Sequence, residues 1–286
     1  MTPKPEAFKA AAVGLLSGWL LLFVLAPNLL VAGLSLLSRS PAGFAGWPAT
    51  LDNYRRLADP IYLHVFAESF ATALIATLFC LLLGYPFAYG LASARPRLRP
   101  LLLTLVIVPF WTNSLVRIYA IRGLLAAKGA VNHLLLAAGL IDQPVRLLYT
   151  QAAEIIGLVY VLLPFMILPL YGSLEKLDPR LLEAARDLGA GPFRRFRHVV
   201  LPLTLPGIVA GCLLVFLPAL GLFYVGDVLG GSRHLLVGNL LKDQFLEAQD
   251  WPFGAAASLV LIGLLLAFLA LYAIAENRVT AAGDDR

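Results

Sequence analysis

Charged residues are scarce in this chain. Only 14% of its 286 residues are Asp, Glu, Lys or Arg, whereas about a quarter is usual for a soluble domain. Hydrophobic residues make up 60%, and the mean hydropathy is +0.83. This shortage of charge excludes an ordinary water-soluble domain and indicates a membrane protein.

Cysteine and histidine are also rare. The two cysteines, Cys80 and Cys212, fall inside apolar runs, where cysteine behaves as a small hydrophobe. The sequence therefore predicts neither a disulfide framework nor a metal site. The histidines are scattered, and each is interpreted as solvated or interfacial: His64, His133, His198 and His234.

The usual signatures of an active site are missing as well. No Gly-Lys pair is followed by Ser or Thr, so there is no Walker A loop, and no dinucleotide fingerprint is present. Neither a Ser-His-Asp set nor a pair of carboxylates has an informative spacing. No basic run is interleaved with exposed aromatics, which argues against a nucleic-acid partner. We therefore expect a non-catalytic protein without a cofactor, and any ATP must be bound by another chain.

Long apolar runs are what the chain does contain. A run of 18 or more residues can cross the ~30 Å hydrocarbon layer as a helix. Six such runs are predicted: 13–37, 68–92, 100–121, 152–172, 204–228 and 254–275. No cleavage pattern of small residues precedes Ser38, so the first run is interpreted as a retained helix rather than a signal peptide. The sequence thus predicts an all-α membrane protein with one six-helix domain over residues 1–286.

Basic residues are distributed unequally between the two sides of these spans. Of the 22 lysines and arginines, 13 lie in the N-terminus, residues 93–99, residues 173–203 and the C-terminus. Eight lie in the opposite segments, and Arg117 is near the end of the third span. The excess of positive charge on the cytoplasmic side of membrane proteins places both termini in the cytoplasm.

Residues 123–150 then form a periplasmic segment. Within it, residues 123–141 are interpreted as a helix lying in the membrane interface. A seventh span is the alternative, but Lys128, Asn132 and His133 interrupt the apolar run. A seventh span would also put the termini on opposite sides.

Proline occurs inside most of the predicted spans. A proline in a helix frees a carbonyl group and bends the helix, which neighbouring helices or a wet cavity can accommodate. These prolines have two interpretations, as ordinary membrane-helix prolines or as bends around a translocation path: Pro27, Pro86, Pro109, Pro164, Pro169 and Pro218.

Residues 173–203 are the most polar part of the chain between two spans. Pro179 suits the first turn of a helix, and Leu181, Leu182, Ala185 and Leu188 then share one face. Gly189 and Gly191 can adopt positive φ at the end of this helix, and Pro192 starts a second helical stretch. This helix-turn-helix predicts a docking element for a cytoplasmic partner; a basic helix lying on anionic lipid is the alternative.

One motif in this segment resembles a known family. The EAA motif of permease subunits in bacterial ABC importers has EAA, three residues, G, nine residues, I, one residue and LP. The matching residues here are Glu183, Ala184, Ala185, Gly189, Val199, Leu201 and Pro202, with valine in place of isoleucine. The resemblance implies a coupling helix that sits in a groove of a cytoplasmic ATPase.

Further stretches, spread over residues 51–257, are similar to the permease subunit of spermidine/putrescine importers. They are TLDNYRRLADPIYL, GYPFAYGLA, VPFWTNSLVRIYA, GLVYVLLPFMILPLY, GCLLVFLPALGLFYVGD and DWPFGAA. The resemblance implies the type I ABC importer permease fold in the bacterial inner membrane. It also implies four kinds of partner, namely a sister permease, two copies of an ATPase, a periplasmic polyamine-binding protein and the polyamine itself.

Acidic residues are unusual inside membrane spans or at their ends. Three are present, Glu68, Glu154 and Asp227, and such residues usually face a partner or a wet path. Asp227 follows Phe223 and Tyr224, and a carboxylate beside aromatic faces suits a polyamine. A water-exposed cap of the fifth span is the alternative role for Asp227.

The third span supplies a second set of path candidates, Trp111, Asn113 and Tyr119. Their alternative role is to anchor the helix at the membrane interface. Arg117 would repel a cation if it lined the path. We therefore expect Arg117 to pair with a carboxylate such as Asp227 or Glu154, or to extend outward.

Three other functions remain alternatives. Related permeases carry amino-phosphonates or opines, and the EAA segment does not distinguish among substrates. A self-sufficient secondary transporter would be favoured by inverted repeats, but the two halves show no convincing similarity. A membrane enzyme would need clustered His, Asp or Glu at one depth, and no such cluster is seen.

Overall fold

The computed structural model describes residues 5–40, 43–231 and 235–284. The chain divides into two compact units. The first combines Met1–Leu63 with Leu240–Arg286, and the second is the continuous stretch His64–Asn239.

The first unit contains the two ends of the chain. Its elements are α1 (Pro5–Leu20), a π-helical turn (Leu21–Leu25), α2 (Ala26–Ser35), strands β1 (Leu37–Ser40) and β2 (Gly43–Ala49), and α3 (Asp52–Leu57). β1 and β2 form an antiparallel hairpin with two register shifts. The all-α prediction did not include this hairpin, which lies in the loop after the first span.

Polar contacts hold the hairpin and α3 onto the end of α2. The Asn53 amide donates to the carbonyl oxygens of Ser35 (3.0 Å) and Leu37 (2.9 Å), and the Ser35 and Tyr54 hydroxyls are 2.8 Å apart.

The Arg56 guanidinium binds Asp250, with Nη1 2.9 Å from Oδ2. The Asp250 side chain is 2% exposed, so Arg56 supplies the partner that a buried carboxylate needs.

The second unit contains the central helices. α4 (Pro60–Ser93) starts in the first unit and continues into the second. α13 (Val237–Leu246) starts in the second unit and continues into the first. Between them lie α5 (Arg99–Ile107), a 3₁₀ turn (Val108–Trp111), α6 (Ser114–Leu125), α7 (Ala130–Ala137), α8 (Gln151–Glu175), α9 (Pro179–Asp187), α10 (Pro192–Arg195), a π-helical turn (Phe196–Val200), α11 (Leu201–Gly221), α12 (Phe223–Val225) and a π-helical turn (Gly226–Gly230). The final helix, α14 (Trp251–Asp284), belongs to the first unit.

α8 and α11 pack closely because small residues line their contact. A Cβ on Gly211 would lie 2.7 Å from Met166 Sδ, and a Cβ on Gly207 would collide with the Ser173 hydroxyl. Met166, Leu170 and Val215 are fully buried beside these glycines. Glycines at such positions let two membrane helices approach and gain van der Waals contact.

Five helical segments are long and apolar enough to cross a membrane. They are Ala12–Ser35, Pro60–Ser93, Gln151–Glu175, Pro192–Gly221 and Trp251–Ala270. A sixth is formed by a bent pair, Arg99–Trp111 and Ser114–Ala137, which meet at 93°. The described residues therefore give the six predicted spans when the bent pair is counted as one.

Two spans differ from the prediction in their course. The third, predicted as one helix over 100–121, breaks after Trp111, because Thr112 is extended and Asn113 caps a new helix by accepting from the Leu115 amide at 2.8 Å. The fifth, predicted to reach residue 228, leaves the α-helix at Leu222 and continues as short turns.

Candidate functional site

α9 is a short helix with strong start and stop signals. Asp178 caps it by accepting from the Arg180 amide at 2.9 Å, and Pro179 occupies the first turn as predicted. The helix ends at Asp187, and Gly189 follows its C-cap with a φ of +79°, in the left-handed region that favours glycine. The predicted turn between two helices is therefore present.

Gly191 does not share that conformation, and the prediction of positive φ was wrong for this residue. Gly191 has φ −64° and ψ 166°. The reason is Pro192, since the residue before a proline is restricted to extended conformations. Gly191 instead serves as the residue that precedes α10.

The motif residues of α9 face outward. Glu183 and Ala184 are exposed, Ala185 is half-buried, and Leu188 is 88% exposed. Leu182 points the other way and lines a cavity of about 300 Å³ with Pro179 and Glu175. α9 thus presents Glu183, Ala184 and Leu188 on an open surface while one leucine turns inward.

The segment after α9 is tied to the long helix α4. The Tyr85 hydroxyl lies 2.9 Å from Thr204 Oγ1, and the Tyr85 ring meets Phe196 edge-on at 5.6 Å between centroids. Leu201 and Pro202, the last motif residues, begin α11. The segment that follows α9 and α10 is therefore continuous with α11 and in contact with α4 through Tyr85.

A cavity of about 450 Å³, lined by both polar and apolar side chains, lies between the break in the third span and the helices α8 and α11. Its lining includes two of the predicted path residues, Asn113 and Tyr224, together with Arg117, Phe110 and Pro218. Pro218 belongs to the set predicted to bend helices around a path. The cavity is the place where these predicted features meet.

The remaining aromatic candidates do not line this cavity. Trp111 is 81% exposed, Tyr119 54% and Phe223 39%. The Phe223 and Tyr224 rings are in edge contact, with centroids 6.2 Å apart. The structure therefore separates these exposed rings from the cavity, and only Tyr224 joins the two groups.

Asp227 is exposed and lies in the π-helical turn Gly226–Gly230. Its Oδ1 accepts from the Asn239 amide at 2.6 Å. Because α11 ends at Gly221, Asp227 does not cap the helix of the fifth span, which was its alternative role.

Arg117 does not form the expected ion pair. Among the described residues neither Asp227 nor Glu154 binds it, and it is 9% exposed with Nε and Nη1 lacking hydrogen-bond partners. Its guanidinium lies 6.0 Å from the centroid of Phe110 and 5.8 Å from that of Tyr160. The expected ion pair is thus absent from the described residues, and the Arg117 side chain lines the cavity instead.

Glu154 was noted in the sequence but was given no site role. It is fully buried, and neither carboxylate oxygen has a hydrogen-bond partner. Both oxygens lie against glycines of the Gly226–Gly230 turn. The signal that could have identified it is an acidic residue inside an apolar span.

Apolar spans around a cavity, with an exposed helix-turn-helix between two of them, are the architecture expected of a membrane permease. The family model described as "Binding-protein-dependent transport system inner membrane component" matches residues 81–281, and the chain belongs to this family. It is accordingly an inner-membrane protein, as predicted.

Three curated relatives align with most of this chain. The chain is 58% identical over 252 residues to the spermidine/putrescine transport system permease protein PotB of Escherichia coli K12, covering 87% of this chain and 92% of that protein. It is 57% identical over 262 residues to PotB of Salmonella typhimurium LT2, covering 91% of each. For PotB of Haemophilus influenzae the identity is 53% over 265 residues and 93% of each chain.

Solved structures confirm the fold. The chain superimposes with a TM-score of 0.71 on a chain of a bacterial ABC transporter involved in the import of alginate, at 18% identity and 96% coverage of both chains. A second alginate ABC transporter structure, in complex with a periplasmic protein, gives a TM-score of 0.77 at 15% identity, covering 93% of this chain and 92% of that one. The predicted ABC importer permease fold is therefore confirmed.

Proposed function

We propose that this chain is the permease subunit of an ATP-driven importer that carries polyamines, spermidine or putrescine, across the inner membrane. The observation that supports the substrate most strongly is the 53–58% identity to polyamine permeases over about nine-tenths of the chain. The molybdenum transport system permease protein ModB of Mycobacterium bovis is less similar, at 31% identity over 207 residues and 71% of this chain.

In this proposal α9 is the coupling helix. Glu183 and Ala184 are available to an ATPase because they are exposed. Gly189 fixes the turn behind them, and the Tyr85 contacts give a route from that turn into α4 and α11. Movement of the ATPase would then change the angle between the membrane helices. The chain itself does no chemistry and holds no cofactor.

The proposed path runs through the 450 Å³ cavity and past the exposed face of Asp227. Asn113 and Tyr224 supply hydrogen-bonding groups in the cavity, and Trp111, Tyr119 and Phe223 offer exposed aromatic faces that attract a cation. Several weak contacts, rather than one tight binding site, suit a substrate that must be released again. Arg117 raises the energy of a cation in the cavity, so the cavity does not trap it.

The complex also needs partners that this chain does not contain. They are a sister permease that completes the path, two copies of a cytoplasmic ATPase, and a periplasmic protein that delivers the polyamine. Membership of a binding-protein-dependent family supports the last of these.

Co-expression tests the proposal. The chain is produced with the products of its neighbouring transport genes in a host that lacks polyamine import, and uptake of radiolabelled spermidine and putrescine is measured. We expect uptake to depend on this chain and to stop when the ATPase is inactivated. Uptake that persists with an inactive ATPase would indicate a secondary transporter, and uptake of an amino-phosphonate instead would correct the substrate.

A further inference from the structure

Glu154 is a buried carboxylate in the interior of the second unit. It is fully buried, and within residues 5–40, 43–231 and 235–284 neither Oε1 nor Oε2 has a hydrogen-bond partner. A buried carboxylate without a donor is costly, and intramembrane acids usually face a partner or a wet path. The arrangement around Glu154 is therefore complete only when a donor reaches it.

A second buried acceptor faces the same place. The Asn239 side chain uses its N–H groups to bind the Phe223 carbonyl (3.0 Å) and Asp227 Oδ1 (2.6 Å). Its Oδ1 has no partner, although the residue is only 5% exposed. A Cβ on Gly226 would lie 2.8 Å from Asn239 Oδ1 and 3.1 Å from Glu154 Oε1, so the two oxygens are less than about 6 Å apart.

Gly226 and Gly230 lie directly against these acceptor oxygens. A Cβ on Gly230 would lie 3.0 Å from Glu154 Oε2, so both ends of the π-helical turn Gly226–Gly230 need glycine to accommodate the carboxylate. Single π-helical turns occur often at functional sites. Gly231 follows with φ +70°, and an opening of the turn would have to release the buried Leu229 and its carbonyl bond from the Tyr149 amide (2.8 Å).

The unmatched groups specify the chemistry of the ligand. All three atoms accept hydrogen bonds when the carboxyl group is ionised, so the group that completes the site is a donor, and a cationic donor would also balance the carboxylate charge. The described residues contain no group of three His, Cys, Asp or Glu side chains that could hold a metal ion. An ammonium group has three donors and no acceptor, and its hydrogen bonds to a carboxylate are strengthened by charge.

We propose that Glu154 and Asn239 form a binding site for one protonated amino group of the polyamine, reached when the Gly226–Gly230 turn opens. Asp227 is exposed and accepts a hydrogen bond from Asn239. Asn239 therefore lies between a surface carboxylate and a buried one. The site rests on the proposed polyamine function and adds a specific contact to it.

Glu154→Gln tests the site, with Glu68→Gln as the matched control. Glu68 is another acidic residue near a span end in the same unit, and it is partly exposed beside His64, with Nε2 3.3 Å from Oε1. Complexes with the ATPase, sister permease and loaded binding protein are placed in proteoliposomes. The readouts are polyamine translocation, basal ATPase activity and the thermal unfolding midpoint.

For Glu154→Gln we expect translocation of spermidine to fall about tenfold while assembly and basal ATPase activity remain. The glutamine amide can donate to Asn239 Oδ1, so the midpoint should stay the same or rise. Glu68→Gln should transport like the unmodified complex. Gly226→Ala, which puts a methyl group between the two acceptors, should lower translocation in the same way.

Two results would overturn the site. Glu154→Gln that transports at the unmodified rate would show that Glu154 is a neutral structural group, and a variant that fails to assemble would show that the carboxyl only holds the fold. An unmodified complex that transports no polyamine would remove the proposed function, and the site with it. If only the proposed site is wrong, the unmodified complex still transports polyamine.

Discussion

The hydroxyl of Tyr85 lies 2.9 Å from Thr204 Oγ1, which joins the middle of α4 to the first turns of α11. Thr204 is fully buried and also donates within its own helix, to the Val200 carbonyl at 2.9 Å. The Tyr85 ring meanwhile packs edge-on against Phe196. A single side chain therefore fixes α4 to the segment that follows the helix-turn-helix.

Substitution of Tyr85 separates the hydrogen bond from the ring contact. Tyr85→Phe keeps the ring and should cost about 1 kcal/mol, the usual value of one hydrogen bond. Tyr85→Ala also removes the contact with Phe196 and should cost about 2 kcal/mol or more. Thermal unfolding of the purified subunit measures both. Equal losses for the two variants would show that the ring contact contributes nothing.

Gly189 and Gly191 should respond differently to alanine. Gly189→Ala forces an alanine into the left-handed region and should destabilise the turn by about 1 kcal/mol, although no atom lies within 4 Å of the added methyl group. Gly191→Ala should be tolerated, because φ −64° suits any residue. Substrate-stimulated ATPase activity of the assembled complex is the readout. If the two variants behaved alike, the turn conformation would not matter for coupling.

Charge reversal on α9 tests the docking surface. Glu183→Lys should abolish co-purification of the ATPase while the subunit stays in the membrane. Asp187→Lys is the control, since it makes the same change on an exposed residue of the same helix outside the motif. Normal polyamine uptake by a well-expressed Glu183→Lys variant would contradict the coupling role of α9.

The close packing of α8 on α11 gives a prediction about stability. Gly211→Ala places a methyl group 2.7 Å from Met166 Sδ, and overpacking of this kind costs about 1–3 kcal/mol. Gly172→Ala, on α8 with nothing within 4 Å, should be neutral or slightly stabilising, because alanine favours the helix. The order of the two unfolding midpoints checks this, and a Gly211→Ala midpoint at or above that of Gly172→Ala would show that the helices can separate freely.

Local signals in the sequence predicted the spans and the helix-turn-helix well. Apolar run length is enough to find a membrane helix, and Pro179 and Gly189 are strong punctuation for α9. The hairpin of β1 and β2 was not predicted because its few residues are specified by contacts with distant groups, such as the Asn53 amide.

The path was harder to predict because it depends on which helices meet. Asn113 and Tyr224 share a cavity although 110 positions of sequence separate them from one another. The environment of Arg117 depends in the same way on Phe110 and Tyr160. Glu154 shows the limit most clearly, since its burial against Gly226 and Gly230 follows only from the packing of α8 on the π-helical turn.

The central claim is tested most directly by the ATPase activity of the purified complex in lipid nanodiscs. Loaded binding protein is added with spermidine, putrescine or an amino-phosphonate, and turnover is compared with that of the unloaded protein. We expect stimulation by a polyamine alone. Stimulation by the amino-phosphonate would contradict the substrate, and a chain that purifies without any ATPase would contradict the importer function itself.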